Sequence, residues 1–425
     1  MEYMDKNIQT SIDDDGILLA RIDMPGRAMN VFSLEMMDSL EHLQNHVDGT
    51  DAVKAVVITS GKSTFLVGAD LEMIRMFTEE ARTGAYEALH ALFGRLSRIF
   101  RRLEKSTKPY VAAINGLALG GGLEVTLACH GRVVADDKAV QLGLPEIKLG
   151  LLPGAGGTQR LPRLIDTGEA MRMLLTGDSV SPARALELGL VHELVAPDRL
   201  IDAAKRCALA LSDPRAPWDI PDHRFDPAPF DFSKPDVCDK IAAFVGVTEQ
   251  QRARYPAFDA IMKCVAGGWN RAMDDACHWE MDVFVDLIRN PVAGNMVRTL
   301  FLNRQRAVKE GLPPESMSAF LSALKEAQTS AQDAGCNEDE VVLAVALAAA
   351  RVWLEGGVAD VDTADVAAVL SGMHPAYTGG PFTYLCQSGL AEIKVRTAEA
   401  AQRQESLFSL PARSEDLFKV LAGAT

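Results

Sequence analysis

The sequence predicts an α/β domain in the N-terminal half of the chain, followed by a region made of helices alone. Within residues 1–165, short β-branched segments alternate with segments of helical periodicity, which is typical of sheets whose strands are joined by crossing helices. A proline-rich segment follows at 213–236. After residue 240 apolar residues recur with helical spacing only, so we expect a second, all-α domain over 240–425.

The first elements are predicted from their boundaries and their apolar spacing. "GILLARID" (16–23) and "AVKAVVITS" (52–60) are β-branched runs bounded by Gly, Asp or Ser, which indicates strands. Between them, apolar residues recur at helical spacing behind Ser33, so we expect a helix with this serine as its N-cap. "YVAAINGLAL" predicts a third strand, followed by three glycines and a helix from Leu123. "GRVVADDKAVQLGLPE" predicts two further short strands.

The remaining elements are predicted to be helices and one linker. The pattern over 162–211 is helical. Six prolines in 213–236 indicate a linker that lies on the surface or packs through its aromatic residues. Helices are predicted at 241–265, 270–289, 292–310, 315–333, 338–355 and 361–370.

Composition excludes several classes of protein. The chain of 425 residues has a formal charge of −15 and a pI near 5.1, which disfavours nucleic acid or an anionic membrane surface as a partner. Its seven cysteines show no CxxC motif, as expected of reduced thiols in the cytoplasm. The acidic N-terminus does not resemble a signal peptide. The longest wholly apolar helical run, 341–350, is half a membrane span, so we expect a cytoplasmic protein without a membrane segment.

The run "ALGGGLEV" (118–125) places glycines where a strand passes into a helix. Backbone N–H groups at a helix N-terminus point outward, so this arrangement suits a phosphate or a developing oxyanion. A close crossing of strand and helix would also require glycine. No Lys-Ser/Thr follows the glycines, and neither this run nor "GAGGTQ" (154–159) has the G-x-G-x-x-G spacing, so nucleotide motifs are excluded.

Two glutamates have similar apolar neighbours in the sequence. Glu124 follows the glycines, and Glu146 follows a proline on what we expect to be an apolar strand end. Burial raises the pKa of a carboxyl group, and two such groups facing one pocket could add or remove water. Each glutamate alone is equally compatible with a satisfied buried carboxylate. His130 is interpreted as structural.

The first predicted helix contains two histidines at a spacing that could bind a metal ion. His42 and His46 are four residues apart but lack an acidic third ligand, so a surface helix and no metal site are expected.

Two segments, "INGLALGGGLEVTLACHGRVVADD" and "LGLPEIKLGLLPGAGGTQRLPRLI", closely resemble the crotonase (enoyl-CoA hydratase/isomerase) superfamily. The resemblance extends over 14–200 and includes "FLVGADLEMI" and "SPARALELGLVHELV". It is nearest to the hydratase part of multifunctional fatty-acid-oxidation α subunits. It implies a crotonase-like ββα spiral and an enoyl-CoA hydratase that adds water to a trans-2-enoyl-CoA.

The resemblance also implies roles for individual residues. Glu124 and Glu146 match the two glutamates that hold and activate the water, and the backbone N–H groups of Ala69 and Gly121 match the oxyanion donors. Gly68 adjoins the first donor, and Asp70 is expected to cap the following helix. The residues expected to contact CoA or substrate are Arg27, Ala28, Gly68, Asp70 and Gly120.

The resemblance finally implies a domain order. We expect the hydratase domain at 1–212, a linker at 213–239, linker helices at 240–310 and, at 311–425, a module resembling the C-terminal end of 3-hydroxyacyl-CoA dehydrogenase, mainly through "PAYTGGPFTY". No G-x-G occurs beyond residue 160, so no NAD site, no dehydrogenase activity and no cofactor are expected.

Expected partners are the acyl-CoA substrate, a second copy of the chain, or a dehydrogenase or thiolase. The alternatives are Δ3–Δ2 enoyl-CoA isomerisation, thioester hydrolysis, or an acyl-CoA-binding subunit without chemistry of its own.

Overall fold

The computed structural model describes residues 5–312 and 317–423, and the chain divides into two compact units. The first unit extends to Arg289 and the second begins at Asn290. The first contains every strand of the described residues, whereas the second is helical. The predicted order, an α/β region followed by an all-α region, is therefore confirmed.

Ten strands form two sheets in the first unit. The strands are β1 Ile8–Ile12, β2 Ile17–Ile22, β3 Ala55–Ser60, β4 Leu66–Val67, β5 Tyr110–Ile114, β6 Ala118–Leu119, β7 Gly131–Ala135, β8 Leu142–Gly143, β9 Ser179–Val180 and β10 Glu193–Val195. The larger sheet has the order β1-β2-β3-β5-β7-β10, and the smaller has β4-β6-β8-β9. Pairing is parallel except at β1–β2 and β8–β9.

The chain winds as a spiral because successive strands alternate between the two sheets. The pairs β3–β4, β5–β6 and β7–β8 each supply one strand to each sheet. Every residue of β3, β5 and β7 is buried, as expected of parallel strands that are covered on both faces. The ends of β4, β6 and β8 therefore come together in the smaller sheet, and the loops that follow them carry the candidate site.

Thirteen named α-helices accompany these strands in the first unit. They are α1 Leu34–Asp48, α2 Leu71–Thr83, α3 Tyr86–Phe93, α4 Arg95–Glu104, α5 Gly121–Ala128, α6 Gly157–Leu164, α7 Thr167–Thr176, α8 Pro182–Glu187, α9 Leu200–Ala210, α10 Val237–Val245, α11 Glu249–Arg254, α12 Ala257–Gly268 and α13 Met273–Ile288. Short 3-10 turns occur at Pro145–Leu149, Pro197–Arg199 and Pro217–Asp219.

Most early predictions of element position are confirmed. The strands at 16–23 and 52–60 are β2 and β3, and the Ser33 side chain caps α1 by accepting a hydrogen bond from the Met36 N–H. The third predicted strand is in fact two strands, β5 and β6, and α5 begins two residues before Leu123. Strand β1 was not predicted, since its exposed edge position leaves polar residues in the run "IQTSI".

The proline-rich segment packs through its aromatic residues, as one of the two sequence-based alternatives expected. Phe230 and Phe232 are buried, and the ring of Phe232 lies 4.6 Å from that of Trp269. The helices that follow pack back on the same unit, with α12 and α13 both contacting α6. The two units consequently divide at Arg289, inside the segment expected to be linker helices at 240–310, rather than near residue 212 or 240.

The second unit is built from seven named helices. They are α14 Pro291–Met296, α15 Arg304–Lys309, α16 Ser318–Asp333, α17 Glu338–Leu354, α18 Val361–Leu370, α19 Pro381–Phe408 and α20 Ser414–Gly423, with a π-helical turn at Val297–Asn303 and a 3-10 turn at Ala376–Thr378. Helix α19 is interrupted at Gly389 and Gln404, where the backbone is not helical. Helix α17 is buried from 342 to 350 and packs against α16 and α19.

Predictions for the later helices are confirmed in type more often than in extent. Helices α17 and α18 match 338–355 and 361–370. The segment 241–265 is three helices, interrupted after Gly246 and at Tyr255, while 292–310 contains the π-helical turn. The predicted start at 315 lies outside the described residues, and α16 begins at Ser318. Within residues 5–312 and 317–423, no helix combines the length and apolar character required to cross a bilayer.

Candidate active site

The three glycines of the run "ALGGGLEV" (118–125) bring the start of α5 against two other loops. Gly120 has φ +58° and ψ −131°, and a Cβ at this position would lie 2.7 Å from Oε1 of Glu146 and 3.5 Å from Cα of Gly68. A Cβ on Gly122 would lie 1.9 Å from the carbonyl oxygen of Leu66. The glycines therefore permit both a positive φ and a close approach of three segments. The alternative explanation, a close crossing of strand and helix, is correct for Gly122. It is compatible with a candidate site at the same place.

Two backbone N–H groups beside these glycines have no hydrogen-bond acceptor among residues 5–312 and 317–423. One belongs to Ala69, since the β-bridge between Ala69 and Phe32 uses groups of the two neighbouring residues. The Gly68 carbonyl accepts from the Phe32 N–H, and the Asp70 N–H donates to the Phe32 carbonyl. The other belongs to Gly121, the first residue of α5. Both residues are partly exposed.

Ala69 and Gly121 both adjoin Phe32. Ala69 bridges Phe32 through its neighbours, and a Cβ on Gly121 would lie 2.8 Å from the ring of the same phenylalanine. Gly68 N–H donates instead to the Leu119 carbonyl at 2.8 Å. Of the two adjoining residues 68 and 69, only Ala69 therefore has an N–H group available for a substrate oxygen.

Glu124 lies in the first turn of α5, 3% exposed, and is held by the loop that precedes α6. Its Oε1 accepts hydrogen bonds from the N–H groups of Ala155 and Gly157, each at 2.8 Å. Gly157 is required here, since a Cβ on it would lie 2.8 Å from that same oxygen. The run "GAGGTQ" lacks the spacing of a nucleotide motif. Its N–H groups instead donate to the Glu124 carboxylate.

Glu146 lies in the 3-10 turn Pro145–Leu149 rather than on a strand end, which corrects the sequence-based expectation. The proline begins the turn directly after β8, and Gly150 ends it in the left-handed conformation. The residue as a whole is partly exposed, but its Oε2 is buried and has no hydrogen-bond partner among the described residues. Oε1 faces Gly120, so the carboxyl group points toward the start of α5.

Burial and mutual repulsion perturb both carboxyl groups. Desolvation raises the pKa of Glu124, while the two N–H donors and the charge of Arg160 oppose that rise. The pKa of Glu146 is raised well above its usual value by desolvation and by the charge of Glu124, and its carboxyl accepts no comparable pair of donors. The two groups interact, and the negative charge is better stabilised on Glu124.

A third glutamate, Glu280, belongs to the same group of carboxylates and was not predicted. It lies on α13, is fully buried, and accepts hydrogen bonds from Gly156 N–H (2.6 Å) and from the N–H and hydroxyl of Thr158. Desolvation and the charge of Glu124 raise its pKa to about 8. One sequence signal could have indicated it: within "MDDACHWEMDVFVDLI" the apolar stripe recurs at helical spacing, and Glu280 lies on that stripe.

The residues expected to contact CoA lie on two adjoining loops. The Arg27 guanidinium donates two hydrogen bonds to the Asp70 carboxylate, at 3.0 and 2.9 Å. Asp70 occupies the N-cap position of α2, as predicted, but its side chain makes no capping hydrogen bond. The predicted capping contact is therefore wrong. Ala28 is exposed beside Arg27, whose side chain is 40% exposed. The loop is anchored by buried Asn30, which donates to the Ile22 carbonyl.

The histidines considered earlier lie outside this site. His130 Nδ1 accepts from the Tyr110 N–H at 2.9 Å, and its other ring nitrogen lies 3.1 Å from the Glu104 carbonyl, which agrees with a structural role. His42 is exposed on α1, with its Nδ1 3.4 Å from Asp5, and His46 is partly exposed on the same helix.

Comparison with known proteins assigns residues 14–217, within the first unit, to a family. The profile of the Enoyl-CoA hydratase/isomerase family matches residues 14–217. Fatty acid oxidation complex subunit alpha from Shewanella frigidimarina is 34% identical over 310 residues, covering 72% of this chain and 42% of that protein. The corresponding subunit from Idiomarina loihiensis is 35% identical over 324 residues, covering 74% and 44%. This chain thus spans about two fifths of the length of these relatives.

Similarity also extends to solved structures. An enoyl-CoA hydratase from Bacillus anthracis is 25% identical, with a TM-score of 0.43, and the match covers 72% of this chain and 96% of that one. The assignment does not depend on this similarity, because the family profile and the curated relatives carry it. Residues 14–217 of this chain therefore form a domain of the enoyl-CoA hydratase/isomerase, or crotonase, family.

Proposed function

We propose that the first unit adds water across the 2,3 double bond of a trans-2-enoyl-CoA to give a 3-hydroxyacyl-CoA. The observation that supports this most directly is the unequal environment of two interacting carboxyl groups. Glu124 accepts two N–H donors, whereas a buried oxygen of Glu146 accepts none. General acid–base catalysis requires one group in each protonation state, and this difference favours that division.

In this proposal Glu124 acts as the base and Glu146 as the acid. The Glu124 carboxylate removes a proton from a water molecule, whose oxygen forms the new bond to C3. Glu146, whose pKa is raised well above the usual value by burial and by the charge of Glu124, is the proposed acid and delivers its proton to C2. The two steps together add the elements of water, and each carboxyl group ends in the opposite protonation state.

The thioester oxygen gains negative charge as the bond to C3 forms. The N–H groups of Ala69 and Gly121 are the proposed donors to that oxygen, since neither has another acceptor among the described residues and both adjoin Phe32. Gly121 also begins α5, so the positive end of the helix dipole faces the same charge. The proposal requires neither a metal ion nor a nicotinamide, since hydration consists of addition of the water oxygen to C3 and two proton transfers, with no net oxidation or reduction.

The substrate and partners of this unit are proposals as well. The CoA moiety is proposed to lie along the loop that contains Ala28 and Arg27, beside the segment of Gly68 and Asp70. The relatives from Shewanella frigidimarina and Idiomarina loihiensis are named as subunits of fatty acid oxidation complexes, which suggests a fatty acyl group on the thioester and a dehydrogenase or a thiolase as partner. The same carboxyl pair could move a proton between C2 and C4, so isomerisation is the competing reaction.

Isosteric variants of the two glutamates test this function. We expect Glu124→Gln and Glu146→Gln each to lower kcat for crotonyl-CoA by about 10²–10⁴-fold, because each removes one proton-transfer group. Turnover is followed as loss of the absorbance of the conjugated thioester. Glu187→Gln is the matched control, since Glu187 is exposed on α8 and pairs only with Arg184. Undiminished hydration in both active-site variants would refute the proposal, and product analysis on 2-enoyl and 3-enoyl substrates separates hydration from isomerisation.

A further inference from the structure

Helix α13 lies beyond residues 14–217, which the family profile matches, although the similarity to the fatty acid oxidation subunits extends across it, and it contributes a carboxylate to the site. The family match ends at residue 217, and Glu280 is sixty-three residues beyond it. Its side chain is fully buried and faces the loop 154–158, to which Glu124 also binds. The site is therefore completed by the helices that follow the family domain within the first unit.

The loop 154–158 donates its N–H groups alternately to the two glutamates. Ala155 and Gly157 donate to Glu124, whereas Gly156 and Thr158 donate to Glu280. Successive N–H groups in this segment point to opposite sides, so one short loop links both carboxylates. Displacing the groups bound to Glu280 would displace the intervening donors to Glu124.

The loop has few other supports that could replace Glu280. Gly156 has φ +95°, and a Cβ on it would collide with the Arg160 guanidinium, so the loop backbone needs glycine there. Arg160 donates to the Ala155 carbonyl at 2.7 Å and is otherwise held in a buried pair with Glu104. These contacts fix the carbonyl side of the loop, while Glu280 fixes the N–H side that faces away from Glu124.

From these contacts we propose that Glu280 is a positioning residue for hydration: it holds the loop 154–158 so that the Ala155 and Gly157 N–H groups remain on Glu124, and its charge influences the protonation of the catalytic pair. The inference rests on the proposed function of Glu124 and Glu146. It adds a determinant from α13 that no residue of the matched domain supplies, and it explains why a glutamate is fully buried on that helix.

Several charged or titratable groups surround Glu280, and their effects define the expected pH dependence. Those that interact with it are Glu124, Glu146, Arg160, Arg163, Cys264 and Cys277. The charge of Glu280 raises the pKa of Glu146, and Glu280 and Glu124 repel each other. Because the pKa of Glu280 is itself raised to about 8, this charge is present at alkaline pH, and removing it should lower the pKa of Glu146 there.

Three variants test the inference. Glu280→Gln preserves the size of the side chain and one acceptor oxygen, Glu280→Ala removes both acceptors, and Asp282→Asn is the control on the same helix. Asp282 accepts from the Tyr86 hydroxyl at 2.7 Å and does not contact the loop 154–158. Hydrogen exchange of the amides at 155–158 is measured by mass spectrometry, together with kcat, KM and the pH profile of kcat/KM for crotonyl-CoA.

We expect the amides of Ala155 and Gly157 to lose protection in Glu280→Ala, although they bond to Glu124 and not to the altered residue. In that variant kcat should fall about 10²-fold with KM nearly unchanged, since a misplaced base affects the chemical step. Glu280→Gln should recover most of the protection and of kcat, but the alkaline limb of its pH profile, which Glu146 sets as the acid, should move to lower pH by on the order of one unit. Asp282→Asn should match the unaltered protein.

The inference and the proposed function fail in different ways. If the unaltered protein does not hydrate crotonyl-CoA, the proposed function is rejected, and amide exchange alone then decides whether Glu280 holds the Glu124 donors. If hydration occurs but Glu280→Ala retains protection at 155 and 157, the positioning role is rejected. Recovery of kcat in Glu280→Gln with an unshifted alkaline limb would overturn the electrostatic part.

Discussion

At the scale of single residues, the site depends on which groups accept backbone N–H donors. Three carboxyl groups lie in one desolvated region, and the pKa of each is raised by burial. They differ because the loop 154–158 donates to Glu124 and Glu280 but not to Glu146. Hydrogen bonding to the charged form stabilises it, so the loop determines which glutamate is best suited to act as the base.

Arg27 has two candidate roles, binding a CoA phosphate and pairing with Asp70, and kinetics on two substrates distinguish them. We expect Arg27→Ala to raise KM for crotonyl-CoA about 10-fold, as loss of one charge-assisted hydrogen bond to a CoA phosphate would do, and to leave KM for crotonyl-pantetheine unchanged. Steady-state kinetics on both substrates give the result. Arg21→Ala, an exposed arginine on β2, is the control. Equal changes for both substrates would show that Arg27 acts through its pair with Asp70 instead.

At the scale of elements, helix α19 is stabilised at its start by a side chain from another helix. Helix α19 begins after Gly379 and Gly380, neither of which has a capping side chain, with Pro381 at its first position. Its cap comes from Asp365 on α18, which accepts from the N–H groups of Phe382 and Thr383 and from the Thr383 hydroxyl. This long-range cap explains the structure of "PAYTGGPFTY", and its absence from local sequence explains why α19 was not predicted.

Loss of that cap should destabilise the second unit. We expect Asp365→Ala to lower the free energy of unfolding by about 2 kcal/mol, because buried N–H groups at a helix start lose their acceptor. Thermal unfolding of the full chain and hydrogen exchange at the start of α19 measure the effect. Asp362→Ala, a half-exposed aspartate on the same helix, should change stability by less than about 1 kcal/mol. Comparable losses in both variants would contradict the proposed cap.

At the scale of the whole molecule, the chain contains two cores. The α/β unit carries the candidate active site, and the helical unit has its own buried cluster, centred on α17 and including Phe320, Leu324 and Phe382. The expected domain boundaries placed 240–289 apart from the α/β domain, whereas α12 and α13 pack on α6 and bring Glu280 to the site. Helices that were interpreted as a linker therefore belong to the proposed catalytic unit.

The reaction is expected to stop at the hydroxyacyl product. Incubation of the full chain with crotonyl-CoA and NAD⁺ should yield 3-hydroxybutyryl-CoA without NADH, because no G-x-G occurs beyond residue 160 and the described residues 290–312 and 317–423 contain no strand. Product analysis and absorbance of the nicotinamide measure the two steps. Added 3-hydroxyacyl-CoA dehydrogenase is the positive control, and NADH formation before that addition would refute the expectation.

Local patterns in the sequence were enough to predict the classes of structure and the candidate chemistry. Helical and strand periodicities predicted the order of the two regions, and the glycines beside Glu124 with the proline beside Glu146 indicated the family to which residues 14–217 belong. Such signals are local, since period, glycine and proline reflect backbone conformation and burial within a few residues. They predicted the existence of elements more accurately than their ends.

The partners of the buried polar side chains, in contrast, depend on the tertiary structure. Glu280 joins Glu124 across 156 residues of sequence, since α13 packs on α6, and Asp365 caps a helix that begins sixteen residues later. Arg27 pairs with Asp70 for the same reason, as two loops adjoin. Burial of a polar residue is readable from periodicity, but its partner is not, because the hydrogen bond that compensates its desolvation depends on how distant elements pack.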